Sequence, residues 1–257
     1  MEVFFGARIL DSLSVKIHGM QRVALITGAG RGLGRELARR LALHGYSVSI
    51  HAFQSIAGAR QLKDELGKEG ASALVTTGDL TQTNEARTLV EATTRHFGRI
   101  DLLLCNSGVY HGKKWDDASE TEWKDEVDST LWPTIWMCRH AIPWLRASDH
   151  GRIVCIGDSG CDRIDARQRA VGYHMAKMGL YLFVRSLAQA EAAHGVTANM
   201  ISPSVLESSF HGPSDQEMPT GRCVSPDDVY RAVKFLACPD SSQITGTNII
   251  VGGGWNL

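Results

Sequence analysis

The chain has 257 residues, 43% of them hydrophobic and 21% charged, with 27 Lys plus Arg against 28 Asp plus Glu. These values exclude a disordered or coiled-coil protein, and the near-zero net charge gives no footprint for nucleic acid. No apolar run approaches the roughly 20 residues needed to span a bilayer.

The six cysteines are scattered without a CxxC pair and read as reduced, buried thiols. The ten histidines contain no HExxH, so no metal site is expected. The opening MEVFFGARILDSLSVKIHG lacks the layout of a signal peptide. These features lead us to expect a cytoplasmic protein acting on a small molecule, with no membrane or nucleic-acid partner. Residues 1–19 read as an extension, with Met20 a candidate start, and residues 20–257 as one domain.

From Arg22 onward, short apolar runs alternate with helical ones. Val23–Thr27 reads as a strand, and Leu33–His44 as a helix with Leu33, Leu37 and Leu41 on one face. Strand Ser47–Ala52, helix Ala57–Glu69, strand Ser72–Thr77 and helix Glu85–Phe97 follow, with glycines at 45, 70 and 98 as helix stops. Strand Ile100–Cys105 is apolar on both faces, as in a parallel sheet covered by helices. Then come helix Glu126–Leu145, strand Gly151–Ile156, helix Gly172–Ala193, strand Val196–Ile201, helix Asp227–Ala237 and strand Thr247–Val251. This order predicts an α/β fold with one doubly wound parallel sheet. The irregular stretch Ser208–Gly221 sits where a lid would be.

The first strand leads into Thr27-Gly28-Ala29-Gly30-Arg31-Gly32-Leu33-Gly34 and then a helix. Glycines at 28, 32 and 34 permit a tight turn and close backbone approach to a pyrophosphate, and the helix N-terminus supplies free N–H groups. An acidic residue after the second strand would bind a ribose 2′-hydroxyl and select NAD. Residues Ser47–Ile56 contain none, whereas Arg31 offers a planar fork for a 2′-phosphate. NADP is therefore expected over NAD, although the end of the second strand adds no Arg or Lys of its own. Asp79 is placed to accept a bond from an adenine amino group and also reads as a helix N-cap.

Tyr173 and Lys177 lie four apart at the start of a helix and share a face. A phenol of pKa about 10 is a poor acid–base group at neutral pH, and a nearby ammonium stabilises its anion. Such a pair exchanges a proton while a nicotinamide exchanges hydride with the neighbouring carbon.

Together with Asn106-Ser107-Gly108, Asn199-Met200-Ile201-Ser202-Pro203, Ile244-Thr245-Gly246 and Val251-Gly252-Gly253-Gly254, these motifs resemble the short-chain dehydrogenase/reductase family across residues 21–255, in particular the 3-oxoacyl-carrier-protein reductases. The resemblance implies a Rossmann fold with a seven-stranded parallel sheet, an NAD(P) cofactor and a homotetramer or homodimer. It also implies cofactor contacts from Gly28, Gly30, Arg31, Gly32, Leu33, Gly34, His51, Asp79, Leu80, Asn106, Ser107, Gly108, Tyr173, Lys177, Pro203, Ser204 and Val205, with Lys177 holding the nicotinamide ribose.

The chain departs from the family pattern at several positions. Asp158 stands where the family has its catalytic serine, as in the pteridine reductases, and Ser159 follows as the competing hydroxyl. The spacing from Asp158 to Tyr173 is about two residues longer than usual for the family, and the choice between Asp158 and Ser159 stays open. Thr130 falls at the family's water-ordering asparagine. Ser204 replaces a glycine in the loop over the nicotinamide, and Gly252 replaces an acidic residue.

Tyr110, His111 and Trp115 follow the Asn106-Ser107-Gly108 loop and are the candidate substrate residues. Trp132, Trp136 and Trp144 read as core or subunit interface, and His174 as a helix filler. The expected activity is NADP(H)-dependent reduction of a 3-oxoacyl-like ketone or imine. Two alternatives are a dihydropterin reductase and a non-catalytic dinucleotide sensor.

Overall fold

The computed structural model describes residues 21–209 and 214–255. The expected extension 1–19 with Met20, and the middle of the expected lid, lie outside the described residues. Strands β1 (Val23–Ile26), β2 (Ser47–Ala52), β3 (Ala73–Thr77), β4 (Leu102–Cys105), β5 (Arg152–Ile156), β6 (Thr197–Pro203) and β7 (Asn248–Val251) alternate with helices α1 (Gly32–Leu43), α2 (Ile56–Lys68), α3 (Thr83–Phe97), α4 (Glu120–Arg146), α5 (Val171–Glu191) and α6 (Pro226–Leu236).

The strands form one seven-stranded sheet in the order β3-β2-β1-β4-β5-β6-β7. Every pairing is parallel. Successive strand side chains point to opposite faces, and two cores result. Ala24, Ile26, Val48 and Ile50 meet Leu37, Leu41, Leu62 and Val233 from α1, α2 and α6. Leu25, Leu103 and Ile153 meet Leu89, Met137, Leu145 and Leu180 from α3, α4 and α5. The direction of winding reverses between β1 and β4, which opens a crevice at the carboxyl ends of the strands.

Helix α4 starts at Glu120, six residues ahead of the expected Glu126. Ser119 accepts from the Glu122 N–H and Glu122 reaches back to the Ser119 N–H, a capping box that fixes the start. The extra turns bring Trp123 alongside α5, where it joins Glu126 against Gly172. Among the described residues no helix is long and apolar enough to cross a membrane.

Candidate active site

The crevice holds two cavities that share Asn106 and Gly108. The first is a groove of ≈ 830 Å³ lined by Gly28, Gly30, Arg31, Gly32, His51, Asp79, Leu80, Asn106, Ser107 and Gly108. The second, of ≈ 740 Å³, is lined by Leu33, Asp158, Ser159, Tyr173, Lys177, Pro203, Ser204 and Val205 together with Tyr110, His111, Arg167 and His174. Gly34 lines neither cavity. A Cβ there would collide with the Asn106 amide and the Gly28 carbonyl, so Gly34 sets the close packing of α1 under the turn.

The glycine turn is held from three sides. Thr27 Oγ1 accepts from the N–H groups of Asn106 (2.9 Å) and Ser107 (3.1 Å). The Asn106 amide donates back to the carbonyls of Thr27 and Gly28, both at 3.2 Å. His51 is buried, and its imidazole is a bridge: Nδ1 accepts from the Gly28 N–H at 3.3 Å and Nε2 donates to the Gly78 carbonyl at 3.0 Å. His51 thus positions the turn through its backbone. Gly28 takes φ 64°, a conformation that glycine adopts without strain. Asp79 Oδ1 accepts from the Thr81 N–H and hydroxyl, a turn ahead of α3, whose N-cap is Gln82 and not Asp79 as expected.

Burial holds the His51 imidazole below the ordinary histidine range, against the raising effects of the Gly78 carbonyl and Asp79. The unfolded chain gains a proton at His51 below about pH 6.5, while the folded protein resists it because both nitrogens are committed. The associated stability is complete above that pH and falls as pH drops below it. Thermal unfolding between about pH 7 and pH 5 is expected to show a steeper loss in the native protein than in His51→Gln. Equal slopes would contradict this role.

In the second cavity, Lys177 is buried and donates from Nζ to the Ile156 carbonyl at 2.6 Å. Its ammonium stands 5.2 Å from the centroid of the Tyr173 ring. Burial lowers the Lys177 pKa, opposed by Asp158 and neighbouring thiols. The Tyr173 hydroxyl is pushed well above the ordinary phenol value, first by burial and then by Asp158. The expected net lowering of the Tyr173 pKa is therefore not found in the protein alone, where burial dominates and Asp158 adds to it.

Asp158 and Ser159 both line the cavity, and the Asp158 carboxylate meets His174 Nδ1 at 3.1 Å. His174 is thus no helix filler. Thr130 is buried behind Gly108, lines neither cavity, and its hydroxyl has no hydrogen-bond partner among the described residues.

Tyr110 packs edge-on to Tyr173, with ring centroids 5.2 Å apart, and His111 Nε2 meets Asp125 at 2.9 Å. Trp115 is 66% exposed and lines neither cavity, because its loop turns outward before α4. Trp132 and Trp136 stack at 5.4 Å and extend the wall of the first groove, a placement the core-or-interface reading did not foresee.

The residue that sequence reasoning missed most plainly is Glu126. It is 4% exposed, and its two carboxylate oxygens accept from the backbone N–H groups of His111 (3.0 Å) and Tyr173 (3.1 Å). It ties the cavity loop to the first turn of α5.

Comparison with known proteins agrees with this geometry. The family model described as enoyl-(acyl carrier protein) reductase matches residues 28–256. The chain is 30% identical to the 3-oxoacyl-[acyl-carrier-protein] reductase FabG of Escherichia coli over 241 residues, covering 91% of this chain and 96% of FabG. The chain belongs to the short-chain dehydrogenase/reductase family. As a member, it is an oxidoreductase that uses a nicotinamide cofactor. This short-chain dehydrogenase/reductase is also 29% identical over 254 residues to the hydroxynaphthalene reductase-like protein Arp2 of Metarhizium brunneum, covering 91% of this chain and 94% of Arp2. Its fold matches the crystal structure of acetoin dehydrogenase YohF from Salmonella typhimurium, with a TM-score of 0.81 at 24% identity, covering 92% of this chain and 96% of that one.

Proposed function

We propose that this short-chain dehydrogenase/reductase, with residues 20–257 as one catalytic unit, reduces a ketone carbonyl with NADPH. The observation that carries the reading is the Tyr173–Lys177 pair in a cavity that opens, past Asn106 and Gly108, into the glycine-turn groove. A non-catalytic sensor has no use for that pair.

The groove fits a dinucleotide. A side chain on Gly30 would collide with Ser55, so the turn is kept clear on that side, while Gly32 faces open space at the mouth of α1. Gly28, Gly30, Gly32 and the α1 N-terminus would hold the pyrophosphate, Asp79 and Leu80 the adenine end, and Asn106, Pro203, Ser204 and Val205 the nicotinamide end. A bound reduced nicotinamide supplies the hydride.

The chain's own residues handle the proton. A raised Tyr173 pKa keeps the hydroxyl protonated across the neutral range, the state a proton donor needs. Lys177, fixed on the Ile156 carbonyl, places positive charge beside the phenolate left when the proton departs. Asp158, whose carboxylate meets His174, is taken in preference to Ser159 as the polar wall beside Tyr173. Reduction is expected to hold level through neutral pH, because Tyr173 loses its proton only in the alkaline range.

NADP selection rests on Arg31. It lines the groove next to the end of β2, which carries no carboxylate, and among the described residues no ion pair engages it. Arg31→Ala is expected to raise the KM for NADPH by about ten- to hundredfold, the worth of a charged hydrogen bond, and to leave that for NADH near its starting value. Equal effects on the two cofactors would contradict this selection.

A 3-oxoacyl thioester is the leading substrate, following the relatives named 3-oxoacyl reductases. The placement of Asp158 on the cavity wall beside Tyr110 favours a dihydropterin as the second reading. Oxidation of NADPH by acetoacetyl thioester and by dihydrobiopterin separates the two, and tight NADPH binding without turnover of either would remove both. Exposed Trp144, Met175 and Leu182 on α4 and α5 support a homodimer or homotetramer through those helices.

A further inference from the structure

Among the described residues, every charged group on the wall of the second cavity has a partner except one. Lys177 is bonded to the Ile156 carbonyl, Asp158 to His174, and His111 to Asp125. Arg167 also lines this cavity and is only partly exposed, yet among the described residues its guanidinium makes no hydrogen bond or ion pair.

The site around Arg167 is built rather than incidental. The loop that carries it is sewn to the cavity loop on its far side. The Ala170 N–H donates to the Lys113 carbonyl at 2.8 Å, Lys114 and Arg169 form an antiparallel bridge, and Arg169 Nη1 donates to the Gly112 carbonyl at 3.0 Å. Ala170 closes this loop in the left-handed region at φ 47°, an uncommon conformation for a residue with a side chain. The guanidinium itself rests on Gly160, where any Cβ would collide with it. Its charge reaches the reaction centre, since Arg167 and Asp158 act in opposite directions on Tyr110, the ring packed edge-on to Tyr173.

We propose that Arg167 anchors an anionic group of the substrate, so that this enzyme acts on carbonyl compounds carrying a carboxylate or a phosphate. The assignment deepens the reduction reading above and rests on it. A guanidinium presents a planar fork of N–H donors suited to either anion. A half-buried cation with its donors unused is a natural place for a ligand to supply the missing charge. Asp158 forms no ion pair with it, since that carboxylate meets His174 instead.

The test uses two matched pairs with NADPH: acetoacetate against ethyl acetoacetate, and dihydroxyacetone phosphate against dihydroxyacetone. The native enzyme is expected to prefer the charged member of at least one pair by about ten- to hundredfold in kcat/KM, and that pair names the anion. Arg167→Gln should erase the preference by slowing only the charged substrate. Arg167→Lys should keep part of it, and the KM for NADPH should stay unchanged in both variants. Equal rates within both pairs for the native enzyme, or an equal loss on charged and neutral substrates in Arg167→Gln, would overturn the anion site while the reduction reading stands. Failure to reduce any of the four ketones or acetoacetyl thioester would remove the reduction reading itself.

Discussion

Tyr173→Phe is expected to lower kcat by about 10²–10⁴-fold, the usual worth of a positioned proton donor, with NADPH affinity unchanged. The substitution removes one hydroxyl and keeps the ring that packs against Tyr110 and His174. Fold and cavity should therefore persist, and a binding titration with NADPH should show it. The loss belongs in kcat rather than KM, because the hydroxyl acts on charge that develops only as the carbonyl is reduced. Retained turnover would remove Tyr173 as the donor and leave Asp158 or His174 to supply the proton. The raised Tyr173 pKa gives a second sign. Because the native hydroxyl stays protonated into the alkaline range, the native rate should show no fall from loss of this proton as pH rises from about 6 to 8.

Glu126→Ala is expected to cost about 2–6 kcal/mol of stability and to impair turnover as well. Its carboxylate accepts from two backbone N–H groups, one on the cavity loop and one at Tyr173 itself. Removing it strands two donors in a buried place, at about 1–3 kcal/mol each. For a chain of this size each kcal/mol is worth about 2–4 °C in Tm. The Gly172 contact adds to the effect, since Glu126 Oε2 packs against that position and its loss leaves space under the first turn of α5. Glu126→Gln keeps the shape and one accepting oxygen, and should fall between the native protein and the alanine variant in both Tm and kcat/KM. Thermal unfolding and steady-state kinetics on the same preparations check the pair of effects. An alanine variant with native Tm and native kcat/KM would show that the clamp carries no load.

These two residues mark the boundary of what the chain reveals when read as a string. Tyr173 and Lys177 were legible because their spacing, their chain order and the upstream glycine turn all point to one chemistry. The sheet was legible for a similar reason: short apolar strands separated by helices of period 3.6 leave few topologies that bury both strand faces.

Glu126 was not legible. A single acidic residue within an amphipathic helix looks like any solvated position, and its partners are backbone groups 15 and 47 residues away. The start of α4 carried a readable signal in Ser119-Glu120-Thr121-Glu122, a capping box that outranks the later point at which apolar periodicity becomes clear. Trp115 was misplaced because closeness in sequence to Asn106-Ser107-Gly108 does not fix which way a loop turns. His51 was found as a groove residue, but its working part is a pair of ring nitrogens spent on backbone, which only the meeting of three strand ends displays. Arg167 lies in the two-residue-longer loop between Asp158 and Tyr173, where family spacing gives no guide.

Hydride transfer from NADPH to a carbonyl carbon in the cavity at Tyr173 is the step on which every role assigned above depends. NADPH carrying deuterium at the transferable nicotinamide position, incubated with the enzyme and acetoacetyl thioester, tests this directly by mass spectrometry of the product. The account predicts one deuterium on the new carbinol carbon, formed at a rate that collapses in Tyr173→Phe. Consumption of NADPH with no deuterium in the alcohol, or a Tyr173→Phe enzyme that transfers it at the native rate, would contradict it.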